Sequence, residues 1–179
     1  MNILTIDVEE YFTLLGEKHD VHYESRLEQE VELLLDILDS MNIKATFFIQ
    51  GEIVSKHTDI LQEIARRFDI GLHGYRHVEA TKMSIEEFRQ DVLRAKDIVE
   101  AFAGKSVSKF RAPCFAVRKD YVKELFACGI ETDCSCVSID HQFGKKIIEE
   151  AKPCLLEYNG RTIREFPPTA ISFFGKGLG

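Results

Sequence analysis

The sequence has no run of about 18 apolar residues, the length a helix needs to cross a bilayer, so nothing in it reads as a membrane span. Its first residues, Met1-Asn2-Ile3-Leu4-Thr5-Ile6-Asp7, lack the basic region and long apolar stretch of a secretory leader. It has no surplus of positive charge. With 23 Lys and Arg against 30 Asp and Glu, the net charge is -7, which argues against a general nucleic-acid or anionic-membrane binder. The five cysteines form no C-x-x-C pair and show no regular spacing, which argues against a disulfide framework and a thiolate zinc site and points to a reducing compartment. No glycine-rich phosphate loop follows the first apolar segment, so a nucleotide site loses support. No repeat, linker or low-complexity stretch divides the chain. The expectation is one soluble, cytoplasmic domain over residues 1–179, with no nucleic-acid or membrane partner and with an oligomeric state the sequence does not specify.

What is present is an alternation of short apolar runs and amphipathic stretches. Ile3–Ile6 is a compact apolar strand that runs into Asp7-Val8-Glu9-Glu10. Leu27, Val31, Leu34, Leu35, Leu38 and Met41 recur at helical spacing and predict a helix from Ser25 to Met41. Strands are predicted at Ala45–Ile49 and Asp69–Leu72, and between them Thr58 is expected to cap a helix carrying Ile60, Leu61, Ile64, Ala65 and Phe68. Ser84-Ile85-Glu86-Glu87 is a capping-box sequence opening a helix to about Phe102, stopped by Gly104. Further strands are expected at Lys109–Ala112 and Ile130–Cys134, with a helix from Val117 or Asp120 to Cys128 between them. Lys145–Ala151 reads as a helix, and Cys154–Tyr158 and Thr162–Phe166 as strands around the Asn159-Gly160 turn. The final stretch from Phe173 has no strong period. Five or more strand-helix alternations predict a mainly parallel sheet with outer helices, either an open doubly wound sheet or an incomplete barrel.

In both architectures ligands bind where strands end, and three polar clusters stand at such ends. Asp7 and Glu9 close the first strand and, two residues apart, point to one side. His73 and His77 follow the third strand; one helical turn would place both on one face, where neutral imidazoles can hold a single metal. Arg111 closes the fourth. A bare H-x-x-x-H is a weak signal, and the convergence of three clusters on one rim is what strengthens it. His19 and His22, in a polar loop, are left out of the site.

In order along the chain, Thr5-Ile6-Asp7-Val8-Glu9 with Glu10-Tyr11-Phe12, Ala45-Thr46-Phe47-Phe48, His73-Gly74-Tyr75-Arg76-His77 and Arg111-Ala112-Pro113 resemble the polysaccharide deacetylases of carbohydrate esterase family four, the NodB-homology domain. The Asp-Val-Glu start resembles the branch of cytoplasmic-type members with a D-V-E or D-V-D pattern. The likeness extends to about Phe174 and implies a distorted (β/α) barrel. It implies a divalent metal, zinc with cobalt or nickel as alternatives, held by Glu9, His73 and His77, with positions left open for water and substrate. Asp7 would be the general base, with Arg111 beside it keeping it ionised and oriented. The oxyanion would be stabilised by the metal and a backbone N–H of Cys114 or Phe115. Asp133 matches the aspartate of the family's fourth motif, but the tryptophan that accompanies it there has no counterpart, since the chain has none. The family's final leucine and histidine, which supply the general acid, also have no match; the last histidine, His141, resembles a loop position. The chain is therefore expected to lack the C-terminal end of the family domain, with the acid unassigned. The implied activity is removal of N-acetyl groups from an N-acetylated saccharide or polysaccharide. The alternatives are a catalytically impaired protein of the same fold that grips metal or glycan, and an amidohydrolase acting on a small amide.

Overall fold

The computed structural model describes residues 3–13 and 23–169, together with the backbone of 171–173 and 176–178. His19 and His22 lie outside the described residues. Strands β1 (Leu4–Val8), β2 (Ala45–Ile49), β3 (Asp69–Leu72), β4 (Lys109–Phe110) and β5 (Thr132–Asp133) stand side by side in chain order, all parallel. Next to β5 comes β7 (Arg161–Glu165), also parallel, and β6 (Cys154–Tyr158) pairs with it antiparallel across the Asn159-Gly160 turn. A doubly wound sheet reverses its strand order at a switch point, whereas a (β/α) barrel adds strands in sequence. The observed order has no reversal from β1 to β5, so the architecture is barrel-like, and among the described residues the sheet is left open between β1 and β6. Among the described residues no helix is long and apolar enough to cross a membrane.

The helices are those the apolar spacing predicts. In α1 (Leu27–Ser40), Leu27, Val31, Leu35 and Leu38 are buried, one turn apart along one face. Helix α2 (Thr58–Arg67) buries Leu61, Ile64 and Ala65. Helix α3 (Ile85–Ala103) starts at a complete capping box: the Glu87 N–H donates to Ser84 Oγ and the Ser84 N–H to Glu87 Oε2, at 3.2 and 2.8 Å. It ends at Gly104 in the left-handed conformation, φ 64°. Short α4 (Val122–Ala127) follows a 3-10 turn at Lys119–Tyr121.

Four local expectations need correction. Thr58 is the first residue of α2 and not its cap; its hydroxyl donates back to the Val54 carbonyl at 2.7 Å, and His57 stands at the cap position. Lys145–Ala151 is not helical, because its amides are already used: Lys146 N–H donates to the Asp140 carboxylate and Ile147 N–H to the Val137 carbonyl, both at 2.9 Å. The fourth and fifth strands are two residues each. After Phe110 the ladder passes to a side chain, with Ala112 N–H donating to Ser135 Oγ at 2.8 Å, and Pro113 cannot continue it. The final stretch, without a period in sequence, contains an antiparallel pair, β8 (Ile171–Phe173) and β9 (Lys176–Leu178).

Candidate active site

Each of the first four strands delivers one part of the site at its C-terminal end. On β1, Asp7 and Glu9 reach the same cavity, of about 510 Å³, as the alternation of strand side chains requires. From β2, Phe48 sends a fully buried ring beneath the Arg111 guanidinium, whose central carbon lies 4.4 Å from the ring centroid. The ring has room only because its register partner on β3 is Gly71, where a Cβ would come within 2.6 Å of it. After β3 the chain turns through Gly74, φ 70°, and presents His73 and His77 to the cavity with ring centroids 5.4 Å apart. After β4 comes Arg111.

A buried carboxylate anchors the histidine loop. Asp91 on α3 accepts the backbone N–H groups of Tyr75 at 2.7 Å and Arg76 at 3.2 Å, and both lie between the two histidines. Gly74 packs against the same carboxylate, since a Cβ there would stand 3.0 Å from Asp91 Oδ2. Gly74→Ala should therefore combine a left-handed non-glycine residue with a pressed anchor and cost about 1–2 kcal/mol or somewhat more. Urea unfolding measures this directly, and an unchanged midpoint would remove the anchor argument.

Glu9, His73 and His77 each offer a donor atom, and the three atoms lie within 4.8 Å of one another. His73 is 1% exposed. Its Nδ1 lies 3.0 Å from the Arg111 carbonyl, an acceptor only, so Nδ1 carries the proton and Nε2 is left as the ligating nitrogen. His77 Nε2 lies 2.6 Å from Glu9 Oε2, which also accepts from the Thr13 hydroxyl at 3.2 Å. Burial pushes the Glu9 carboxyl up, but the His77 ring beside it, His73 and the Thr13 hydroxyl together hold it net below the ordinary carboxylate range. Two imidazoles and one ionised carboxylate, with the outer nitrogen of one ring already tied back to the protein, form a donor set that fits a divalent metal.

Beside this set, Arg111 donates from Nη1 to Asp7 Oδ1 at 2.8 Å and from Nη2 to Thr5 Oγ1 at 2.6 Å. The guanidinium is 5% exposed on its side chain and Asp7 25%, so the cation is sealed behind the carboxylate that faces the cavity. Cys114 and Phe115 line the same cavity, and both have left-handed backbone, φ 55° and 52°. Two consecutive strained residues at a cavity wall are the kind of feature that persists only when the surroundings enforce it. The Phe115 N–H is already donated to the Ala112 carbonyl at 3.0 Å, which narrows the oxyanion candidate to the Cys114 N–H.

Asp133, expected among the catalytic residues, is placed elsewhere. It is 0% exposed, bonded to Ser135, and is not among the residues that line the cavity. His141 does line it, on the wall running from Val137 to Phe143, although its Nε2 is buried against Gly144 with no partner among the described residues. Sequence reasoning missed Thr5, Thr13, Asp91 and Ser135, single polar residues with no local pattern to mark them.

Burial holds His73 below the usual histidine value. The unfolded chain, near 6.5, then binds more protons than the native state as the pH drops through that value. In metal-free protein the contribution to stability is fully present above about pH 6.5 and is lost as the pH falls towards the lowered native value. His73→Gln is expected to flatten this acid limb in urea titrations between about pH 5 and 7.5; an unchanged slope would show that the limb belongs to other groups.

The polysaccharide deacetylase family model matches residues 20–132, more than half of the chain. The chain belongs to the polysaccharide deacetylase family. The matched segment contains His73, His77 and Arg111, while Asp7 and Glu9 lie before it and are joined to it by the fold. A peptidoglycan-N-acetylglucosamine deacetylase of Bacillus cereus is 32% identical over 91 residues, covering 50% of this chain and 33% of that protein. A Mycobacterium smegmatis structure assigned to the polysaccharide deacetylases superposes with a TM-score of 0.77 at 23% identity, over 93% of this chain and 58% of that one. A wild-type pseudoenzyme of carbohydrate esterase family 4 from Bacillus anthracis shares the fold with a TM-score of 0.59 at 23% identity, over 73% of this chain and 41% of that one. The chain thus spans a third of the length of the Bacillus cereus deacetylase it matches.

Proposed function

We propose that this chain is a metal-dependent, cytoplasmic N-deacetylase that hydrolyses the acetamide of an N-acetylated saccharide, releasing acetate and a free amine on the sugar. The observation that carries the reading is the adjacency, on one cavity wall, of the Glu9–His73–His77 donor set and the Asp7–Arg111 pair. Neither half alone would suffice. A donor set without a base binds a metal and stops there, and a lone carboxylate has no electrophile to work with.

Glu9, His73 and His77 would hold the ion, zinc by the donor types, with cobalt and nickel as alternatives. When bound, it supplies Lewis-acid polarisation of the acetamide carbonyl and acidifies water. Asp7 accepts a proton of the attacking water, and the departing nitrogen takes up one proton as the C–N bond breaks, so that water is divided between the acetate and the free amine. The carboxylate is held for this by Arg111, which donates to Oδ1 and leaves the other oxygen for the water. The Cys114 N–H donates to the oxygen that gains charge as the carbonyl is attacked. Thr5 fixes the second guanidinium nitrogen of Arg111, so the base is oriented from two residues away on its own strand. Val137, Ile139 and Phe143 give the cavity an apolar side against which a sugar face can lie.

The reading is tested in two steps. Zinc titrated into metal-stripped protein by calorimetry should bind one to one, and the loaded protein should release acetate from N-acetylglucosamine oligomers. Absence of binding in folded protein would sink the proposal. Binding without acetate release, on oligomers and on small acetamides alike, would favour the second reading, a metal-holding relative without turnover, which the family's pseudoenzyme member makes concrete.

A further inference from the structure

Behind the cavity lie two acids that the reaction does not use. Asp133 on β5 and Glu165 on β7 are register partners in a parallel pair, so their side chains leave the same face of the sheet side by side. Both are 0% exposed. A carboxylate oxygen of each and the Cys136 sulfur lie within 4.8 Å of one another, and the two carboxyl groups are within hydrogen-bonding reach. Among the described residues neither has a Lys, Arg or His partner. The acceptor inventory shows what is missing. Glu165 Oε1 accepts the Cys136 N–H at 3.2 Å, while Glu165 Oε2 is buried and, among the described residues, no donor reaches it. Two adjacent buried anions without a cation are not sustainable.

We propose that Asp133 and Glu165 hold a single proton between them, carried by Glu165, and that this acid pair is a positioning element for Arg111. The side on which the proton sits follows from Ser135. Its oxygen accepts the Ala112 N–H at 2.8 Å, so its one hydrogen goes to Asp133 Oδ1, and the Cys136 thiol faces Asp133 Oδ2 at 4.0 Å; both Asp133 oxygens thus accept, and Glu165 Oε2, with no donor among the described residues, is the oxygen left to carry the proton. Burial raises both acids, Glu165 the further because the Asp133 charge adds to it.

The pair acts at a distance through one chain of contacts. Asp133 fixes Ser135, Ser135 fixes the Ala112 amide, and Ala112 follows Arg111. The Arg111 Nε donates to the Cys134 carbonyl at 3.3 Å, between Asp133 and Ser135 in the chain. Arg111 then fixes Asp7 with its guanidinium and His73 with its carbonyl. One buried proton thus holds the strand end from which both the base and one ligand are oriented. The positioning half rests on the hydrolase reading above; the proton half does not.

Two measurements test it. Infrared difference spectroscopy on the whole chain should show a protonated carboxyl band at neutral pH that is absent in Glu165→Gln; a wild-type protein without that band overturns the proposal. Glu165→Ala should weaken zinc binding, and acetate release where wild type shows it, by about 10–100-fold, the usual effect of losing an outer support. Glu165→Gln, whose amide donates to Asp133 while its oxygen still accepts the Cys136 N–H, should recover most of that loss. A glutamine variant as impaired as the alanine one would mean that an ionised Glu165 is needed and would overturn the proposal. So would a His73→Ala protein that still bound one zinc and lost it on adding Glu165→Gln, since the buried cluster would then be a metal site. Should wild type bind zinc and release no acetate, the hydrolase reading fails, while the infrared band and the zinc affinities still decide the pair.

Discussion

Asp7→Asn is expected to bind one equivalent of zinc with an affinity close to that of the parent protein and to release acetate about 10²–10⁴-fold more slowly, the range a positioned general base contributes. The substitution is isosteric. Its side-chain oxygen can still accept from Arg111 Nη1, so the guanidinium keeps its contact with position 7 and its bond to Thr5. What is lost is the capacity to take a proton. The ligands Glu9, His73 and His77 are untouched, which is why binding and turnover should separate. Removing one charge of a fully buried pair costs about 3–5 kcal/mol. Asp7 is 25% exposed, but the guanidinium left without its countercharge is 5% exposed on its side chain, so much of that cost is expected, eased by the asparagine oxygen that still accepts from Arg111 Nη1. Thermal unfolding alongside the assay shows whether lost rate is lost chemistry or lost fold. A variant that still released acetate at the parent rate would remove Asp7 as the base; one that lost zinc would place it among the ligands instead.

The two halves of this site were unequally legible in the sequence. Glu9, His73, His77, Asp7 and Arg111 could be found because each closes a short apolar strand, and parallel strands bring their ends to one rim regardless of their separation along the chain. The strands at Ala45–Ile49 and Asp69–Leu72, the Ser84 capping box and the stop at Gly104 were legible for the same reason, since each is a local pattern with a local cause. The supports were not. Asp91 meets Tyr75 sixteen residues away, Ser135 meets Ala112 at a distance of 23, and Thr5 meets Arg111 at 106. Such pairs carry no periodicity and no motif, and only the folded register joins them. Lys145–Ala151 failed in the opposite sense: a plausible helical pattern lost to the Asp140 carboxylate and the Val137 carbonyl, which take its amides one by one. Asp133 illustrates a third case: the sequence places it on a strand, but only the sheet register sets it beside Glu165 on the neighbouring strand.

His73→Ala is expected to abolish the stabilisation that zinc gives the parent protein. At a free zinc concentration of about 100 times Kd, binding confined to the native state adds about 2.7 kcal/mol, visible as a raised unfolding temperature. With one of three donors gone, affinity should fall by at least 10²–10³-fold, and at the same zinc concentration the shift should vanish. The variant also has a second cost that is independent of metal. His73 Nδ1–H satisfies the Arg111 carbonyl, and deleting the ring leaves that buried acceptor unpaired, a loss of about 1–3 kcal/mol on top of the space the imidazole filled. His77→Ala separates the two effects. His77 pairs with Glu9 and holds no backbone group among its described contacts, so its removal should erase the zinc shift while leaving the metal-free protein nearer to the parent in stability. If His73→Ala kept the zinc shift, the donor set would be wrong and the metal would have to sit elsewhere. If both variants lost the shift and only His73→Ala unfolded early without metal, the ring would be doing two jobs, ligating from Nε2 and clamping the end of β4 from Nδ1, so that the metal and the base are positioned by the same residue pair, His73 and Arg111.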